Sequence, residues 1–133
     1  MNMDPYAADL WQRAKRAWEA ASRDLAQGDY DACASRAYYA AFYAVSSLFA
    51  GESREFKKHS ALEAAVHRDL VKTGRWAPEL GQSFRSLHRL RDTGDYGGLD
   101  HVSEPEASEA VRSARQILDA VDKTLSGPSA PLP

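Results

Sequence analysis

Apolar side chains recur at intervals of three and four residues in five segments of this chain. That spacing places them on one face of an α-helix, whereas the alternation typical of a half-buried strand appears nowhere over a useful length. The pattern therefore predicts an all-α protein. The predicted helices cover residues 6–27, 30–50, 60–74, 78 to just beyond 91, and 103–125.

Short polar motifs mark several of the predicted helix boundaries. Ser60 and Glu63 have the spacing of a capping box, in which each side chain bonds the backbone N–H of the other residue. Ser103 and Glu106 repeat this motif before the last helix. Gly94, Gly97 and Gly98 are expected to break the fourth helix.

The composition is that of a folded domain, since 44% of the 133 residues are hydrophobic and 27% are charged. We expect a single domain over residues 1–126 and a mobile Pro/Ser-rich tail over residues 127–133. A net charge of −2 gives no global attraction to nucleic acid. Any contact with phosphate groups must then come from a local basic patch.

The sequence predicts neither a targeting segment nor a reactive cysteine. The N-terminal residues lack the apolar stretch of a secretory signal, and no run reaches the roughly 18 apolar residues of a membrane span. We therefore predict a cytoplasmic protein that does not enter a membrane. The single cysteine, Cys33, lies in an apolar helical stretch and is interpreted as a buried hydrophobic residue.

The second predicted helix, "YDACASRAYYAAFYAVSSLFA", is apolar on two faces rather than one. Such a helix is either central in the fold or in contact with another chain through its second face, where tyrosine and arginine are favoured. We expect a symmetric homodimer, and a monomer with a central helix is the alternative. The residues predicted for the dimer interface are Arg36, Tyr39 and Tyr43.

Arg91 lies in helical register with Leu80, Phe84 and Leu87, so a charged residue occupies an inward position. The ordinary interpretation is an arginine near a helix C-terminus that favours the helix dipole and extends into solvent. The functional interpretation is a phosphate-binding cation. Three further side chains would support it, namely His88, Asp95 and Tyr96.

The segment "FKKHS" adds a second basic point directly before the third helix. Lys58 and His59, together with backbone amides at a helix N-terminus, are typical of an anion site, although a solvated loop has the same composition. The four histidines show no metal-ligand spacing with cysteine or carboxylates. We therefore predict neither a metal nor another cofactor.

Three elements in this order resemble a small stand-alone prokaryotic HEPN-domain protein: "SRAYYAAFYAVSSLF", "KKHSALEAAVHRDLVKTG" and "LHRLRDTGDYGG". The resemblance covers most of residues 6–125. The matches to the family pattern are Arg36, Tyr38 and Tyr39 in the first element, His59 and Ser60 in the second, and Arg91, Asp95 and Tyr96 in the third.

This resemblance implies an antiparallel up-and-down bundle of four to five helices that dimerises. It also implies a toxin-antitoxin or defence component with a nucleotidyltransferase-like antitoxin partner. Many members of the family are metal-independent ribonucleases in which an arginine is followed, after four to six residues, by a histidine. Here Tyr96 stands at the position of that histidine, and a tyrosine is a poor base at neutral pH.

Three hypotheses follow from the residues and the resemblance. In the first, a cleft around Arg91 and Tyr96, supplemented by Arg36, Lys58 and His59, binds RNA, a nucleotide or the partner protein without efficient catalysis. In the second, the protein is a ribonuclease toxin in which His59 or His88 replaces the motif histidine. In the third, it is a purely structural dimerisation module.

Overall fold

A computed structural model describes residues 4–126 of the chain. It contains five α-helices, α1 (Pro5–Gln27), α2 (Tyr30–Ala50), α3 (His59–Ala65), α4 (Pro78–Tyr96) and α5 (Glu104–Ser126), and α3 continues as a π-helical segment, Val66–Val71. No strand occurs within this part of the chain. The prediction of an all-α bundle is therefore confirmed, and the predicted tail, residues 127–133, lies outside the described residues.

Helix α2 lies at the centre of the bundle and packs against α1, α4 and α5. Its small residues allow this close approach, and Ala37, Ala40, Ala41 and Ala44 are all fully buried. Ser47 is also buried and donates a hydrogen bond of 2.6 Å to the carbonyl oxygen of Ala7 in α1. The central position accounts for the two apolar faces of α2 without a second chain.

The third helix begins one residue earlier than predicted, and the capping box expected at Ser60 and Glu63 is absent, so that prediction is wrong. Lys58 occupies the N-cap position with extended backbone angles, φ −109° and ψ 138°, and makes no side-chain cap bond. His59 is the first helical residue. As a result the Glu63 side chain is available for a different partner, described below.

Gly94 does not break the fourth helix, contrary to the prediction, because α4 continues to Tyr96. The glycine is required by packing instead. A Cβ atom at this position would lie 2.7 Å from the carbonyl oxygen of Asp31 in α2. Gly94 therefore brings the end of α4 into direct contact with the start of α2.

The start of α5 follows the predicted capping box. The Ser103 hydroxyl accepts a 3.3 Å hydrogen bond from the backbone N–H of Glu106, and the Glu106 carboxylate accepts a 3.0 Å bond from the backbone N–H of Ser103. The preceding loop is tied to α2 by Asp31, whose carboxylate lies 2.8 Å from the Val102 nitrogen and 2.7 Å from Nδ1 of His101.

Cys33 is fully buried, as the sequence predicts. Its thiol lies 3.8 Å from the carbonyl oxygen of Ala107 in α5. Burial, with smaller contributions from Asp24 and Asp29, raises the pKa of the Cys33 thiol to about 11. Among the described residues, no helix is long and apolar enough to cross a membrane.

Candidate functional site

Arg91 lies on the last turns of α4 and points toward α2, so its predicted inward position is confirmed. Its side chain is only 14% exposed. Nη2 donates a 2.9 Å hydrogen bond to the hydroxyl of Tyr39 and lies 3.5 Å from the hydroxyl of Tyr96. Each of these hydroxyls has its own O–H left to donate, so the guanidinium and the two phenols form a set of converging donors.

Aromatic rings surround the Arg91 guanidinium. Its central carbon lies 5.2 Å from the ring centre of Tyr96, 5.4 Å from that of Tyr39 and 5.9 Å from that of Tyr38. Tyr96 is 72% exposed, whereas Tyr38 is fully buried. The cation is thus held at the boundary between the core and the solvent by attraction to the faces of the rings.

Two carboxylates pair with Arg91 from its own helix. Asp95, one turn later, lies 3.0 Å from Nε, and Asp92 lies 3.3 Å from Nη1. Asp95 is also fixed by the Ser35 hydroxyl of α2 at 3.2 Å. An anionic ligand of Arg91 must therefore compete with two carboxylates that are already in place.

His59, at the start of α3, lies beside this cluster. Its Nδ1 is 3.1 Å from the hydroxyl oxygen of Tyr38, and its ring centre is 4.6 Å from that of Phe42. Burial lowers the pKa of His59 below its ordinary value of about 6.5, and the positive charge of Arg91 lowers it further. Both effects favour the neutral imidazole, the form that a general base requires.

His88, one helical turn before Arg91 and Asp92, is held by Glu63. Its Nδ1 lies 2.6 Å from the Glu63 carboxylate, and its ring stacks on Tyr38 at 5.0 Å. The His59 and His88 ring centres are 6.0 Å apart. Tyr38 thus connects the two histidines, and burial raises the pKa of its hydroxyl, with a smaller contribution from Glu63, so that it remains protonated.

The structure brings together most of the predicted site residues. Arg91, Asp95, Tyr96, His59, His88 and Tyr39 form one cluster, which we call the Arg91 cluster. Lys58 directly precedes His59 and is exposed. Arg36 does not join the cluster, because both Asp24 carboxylate oxygens of α1 accept bonds from its Nη1, at 3.0 and 2.9 Å. The contribution of Arg36 to the cleft stays a prediction.

Three residues that contact the Arg91 cluster, Glu63, Tyr38 and Asp92, were not predicted as site residues. Glu63 was interpreted as a helix cap, and Tyr38 only as a match to the family pattern. One sequence signal was available, because Glu63 follows His59 by four residues and so lies on the same face of α3. Tyr38 is both a core residue and a site residue, and periodicity cannot separate these roles.

Groups of three or more side chains suited to a metal ion do not occur among residues 4–126. The Arg91 cluster and the residues that contact it offer a guanidinium, two imidazoles, three phenols and three carboxylates. These groups can bind an anion, stack on a planar ring and move a proton.

Comparison with known proteins identifies the family. A family model described as "HEPN domain" matches residues 7–124, almost the whole chain. The chain belongs to the HEPN family. Over 126 residues it is 35% identical to a "UPF0332 protein" of Thermotoga maritima, a match that covers 94% of this chain and 96% of that protein.

The chain is also similar to a Methanocaldococcus jannaschii protein described as "Putative toxin MJ0142". That protein is 27% identical over 87% of this chain and 79% of its own length. The crystal structure of TT1696 from Thermus thermophilus superimposes with a TM-score of 0.76 over 90% of this chain and 98% of that chain. At 22% identity, that likeness shows that the two proteins share a fold.

The lowered pKa of His59 gives a direct prediction. In an NMR titration, the His59 ring of the folded protein should have a pKa below about 6.5, and Arg91→Ala should raise it because a nearby positive charge is removed. The unfolded chain then takes up this proton first, so the free energy of unfolding should decrease as the pH falls below about 6.5. Arg85→Ala, an exposed position on α4, is the control, and an equal shift in both variants would contradict the assignment.

Proposed function

We propose that this HEPN protein binds single-stranded RNA at the Arg91 cluster. One observation carries the proposal: Arg91 lies within 6 Å of three tyrosine ring centres, and one of these rings, that of Tyr96, is exposed at the protein surface. An arginine recognises a phosphate group, and aromatic rings stack on unpaired bases. Single-stranded RNA presents both features side by side, whereas a duplex keeps its bases within the stack.

The electrostatics of the cluster set the expected strength of binding. The overall charge of the protein is −2, and Asp92 and Asp95 already pair with Arg91. Binding should therefore depend on a few phosphate contacts and on stacking, rather than on a long basic surface. Lys58, exposed beside His59, offers one further positive charge for the backbone of the bound strand.

A binding titration tests this proposal. Fluorescence anisotropy with a labelled single-stranded RNA should show saturable binding, and the slope of log K against log salt should be about −0.7 for each phosphate contacted, with one or two contacts expected. The same sequence as a duplex should bind more weakly. Equal binding of the duplex, or a slope that indicates many contacts, would contradict recognition by this cluster.

RNA cleavage is a second candidate function, favoured by the position of His59: its ring centre lies 6.0 Å from that of Tyr39, whose hydroxyl accepts the bond from Arg91. If Nδ1–H of His59 donates to the Tyr38 oxygen, Nε2 has a free lone pair. It can then take the proton of a ribose 2′-OH while the 2′-oxygen attacks the neighbouring phosphorus. Arg91 would stabilise the negative charge on the phosphate, and His88 could return a proton to the departing 5′-oxygen.

The cleavage proposal has a specific product and a matched control. Attack by the 2′-oxygen leaves a 2′,3′-cyclic phosphate and a 5′-hydroxyl, which end-specific enzymes can distinguish. Purified protein should produce these ends in the presence of a chelator, and His59→Ala should abolish them. His67→Ala, an exposed histidine in the π-helical segment, should leave cleavage unchanged. Cleavage that survives in His59→Ala would contradict this mechanism.

The biological setting and the partners are also proposals. The M. jannaschii relative carries the word toxin in its name, and this supports a role of the present chain in a toxin-antitoxin or defence module. The homodimer and the nucleotidyltransferase-like antitoxin remain predictions from the family resemblance. Light scattering tests the dimer, and co-purification with the products of neighbouring genes tests the antitoxin.

A further inference from the structure

A second surface feature lies next to the Arg91 cluster and has no role in the functions described above. It is a pocket of about 280 Å³ between α1, α2 and the loop that precedes α3. Four aromatic side chains contribute to its walls: Tyr6, Phe42, Tyr43 and Phe56. Its volume is close to the lower limit of small-molecule sites, about 300 Å³, and suits one flat ring system rather than a large ligand.

Both arginines that line this pocket are paired with carboxylates, and the partner of Arg54 lies outside the lining. Arg13 pairs with Asp9 at 2.9 Å, and Arg54 pairs with Asp69 at 2.7 Å. Arg68 and Arg54 hold the pKa of the Asp69 carboxyl at about 2, so this anchor remains ionised. Two arginines and two carboxylates line the pocket, so its lining carries no net charge.

An uncharged planar ring with hydrogen-bonding edges fits these surroundings better. The ring faces of Phe42 and Tyr43 offer stacking. Ser46 contributes a hydroxyl to the pocket lining, and Glu55 contributes a carboxylate that accepts a 3.4 Å hydrogen bond from the Tyr6 hydroxyl. Nucleobases combine an aromatic face with donor and acceptor edges, and proteins recognise them by this combination of contacts.

The pocket is continuous with the Arg91 cluster through shared aromatic rings. Phe42 lines the pocket, and its ring centre lies 4.6 Å from that of His59. Tyr43 also lines the pocket, and its ring centre lies 6.1 Å from that of Tyr39, whose hydroxyl accepts the bond from Arg91. A single aromatic residue, Tyr39, therefore lies between the Arg91 guanidinium and the Tyr43 wall of the pocket.

We propose that this pocket, walled by Phe42 and Tyr43, binds one nucleobase of the single-stranded RNA whose phosphate lies on Arg91. The inference rests on the proposed RNA-binding function and adds a base-recognition subsite to it. The charged position takes the phosphate, and the neutral aromatic position takes the base. Stacking of one base on an aromatic side chain is worth about 5- to 150-fold in affinity, from ~1–3 kcal/mol.

The test uses short single-stranded RNAs in which each position in turn carries an abasic ribose. For the wild-type protein, one abasic position should weaken binding by about 5- to 150-fold, while the other positions have small effects. Tyr43→Leu removes the ring face, and Ser46→Phe fills the pocket but keeps its walls. Each variant should bind the intact RNA as weakly as the wild-type protein binds the RNA with the sensitive position made abasic. Tyr30→Leu, at the start of the same helix, is the control. This variant should still bind the intact RNA more tightly than the abasic RNA.

The outcomes separate this inference from the proposed function. If Arg91→Ala weakens binding but no abasic position matters in the wild type, the pocket does not hold a base and RNA binding stands. If Arg91→Ala has no effect on RNA binding, the proposed function itself fails. A dimer in light scattering that Ser46→Phe dissociates, with RNA binding unchanged, would show that a second copy of the chain covers the pocket, and the inference would then be overturned.

Discussion

Arg91→Ala is expected to weaken the binding of single-stranded RNA by about 10- to 150-fold, which corresponds to the ~1.5–3 kcal/mol of a hydrogen bond to a charged group. The guanidinium is the cation that the surrounding tyrosines hold in place, and its Nη2 also orders the hydroxyl of Tyr39. Without it, a phosphate would meet Asp92 and Asp95 with no compensating charge. Anisotropy titrations at one fixed salt concentration measure the loss.

Two comparisons make the Arg91 result specific. Arg85→Ala removes the same charge from an exposed position of α4 and should change affinity by less than about 3-fold, because exposed charges contribute little. Asp95→Asn should strengthen binding, since a carboxylate 3.0 Å from Nε no longer competes with the phosphate. Equal losses in Arg85→Ala and Arg91→Ala would indicate general electrostatic attraction and contradict a defined site.

Tyr38→Ala is expected to lower the free energy of unfolding by about 3–5 kcal/mol, the range for large aromatic side chains removed from a core. Tyr38 is fully buried, and its ring packs on those of Phe84 and His88 at 5.9 and 5.0 Å. The alanine variant leaves a cavity at the junction of α2, α3 and α4. Denaturation in urea, followed by circular dichroism, measures the change.

Tyr38→Phe separates the core role of this residue from its role in the site. The phenylalanine keeps the ring and loses only the hydrogen bond between the hydroxyl and Nδ1 of His59, so the cost should be about 0.5–1.5 kcal/mol. The His59 imidazole would lose the group that orients it. A loss below about 1 kcal/mol in Tyr38→Ala would show that the ring is not part of the packed core.

The helices of this protein could be predicted from the sequence because their signals are local. Apolar spacing and the Ser103 capping box depend on residues within a few positions of one another, and the structure confirms both. The two errors at helix ends have tertiary causes. The sequence indicates a helix break at Gly94, whereas the glycine is needed because the Asp31 backbone lies against it.

The candidate site could be predicted only in part, for a related physical reason. Arg91 could be predicted as a site residue because it continues a row of apolar residues on one helix face, and His59 because it follows two lysines. Which of the other polar residues meet them depends on how three helices pack. Arg36, for instance, pairs with Asp24, which lies on α1. Tyr38 was overlooked as a site residue because a buried tyrosine gives the same periodic signal as any core residue.

The burial of Cys33 has a practical consequence for studies of motion in this protein. Its thiol is inaccessible, and the raised pKa of about 11 keeps it protonated at neutral pH, whereas thiol-directed dyes react with exposed thiolates. A cysteine introduced at an exposed position, such as Gln82 of α4, would then react selectively with the native residue left in place. Fluorescent labelling can therefore report on α4 during ligand binding without any change to the core.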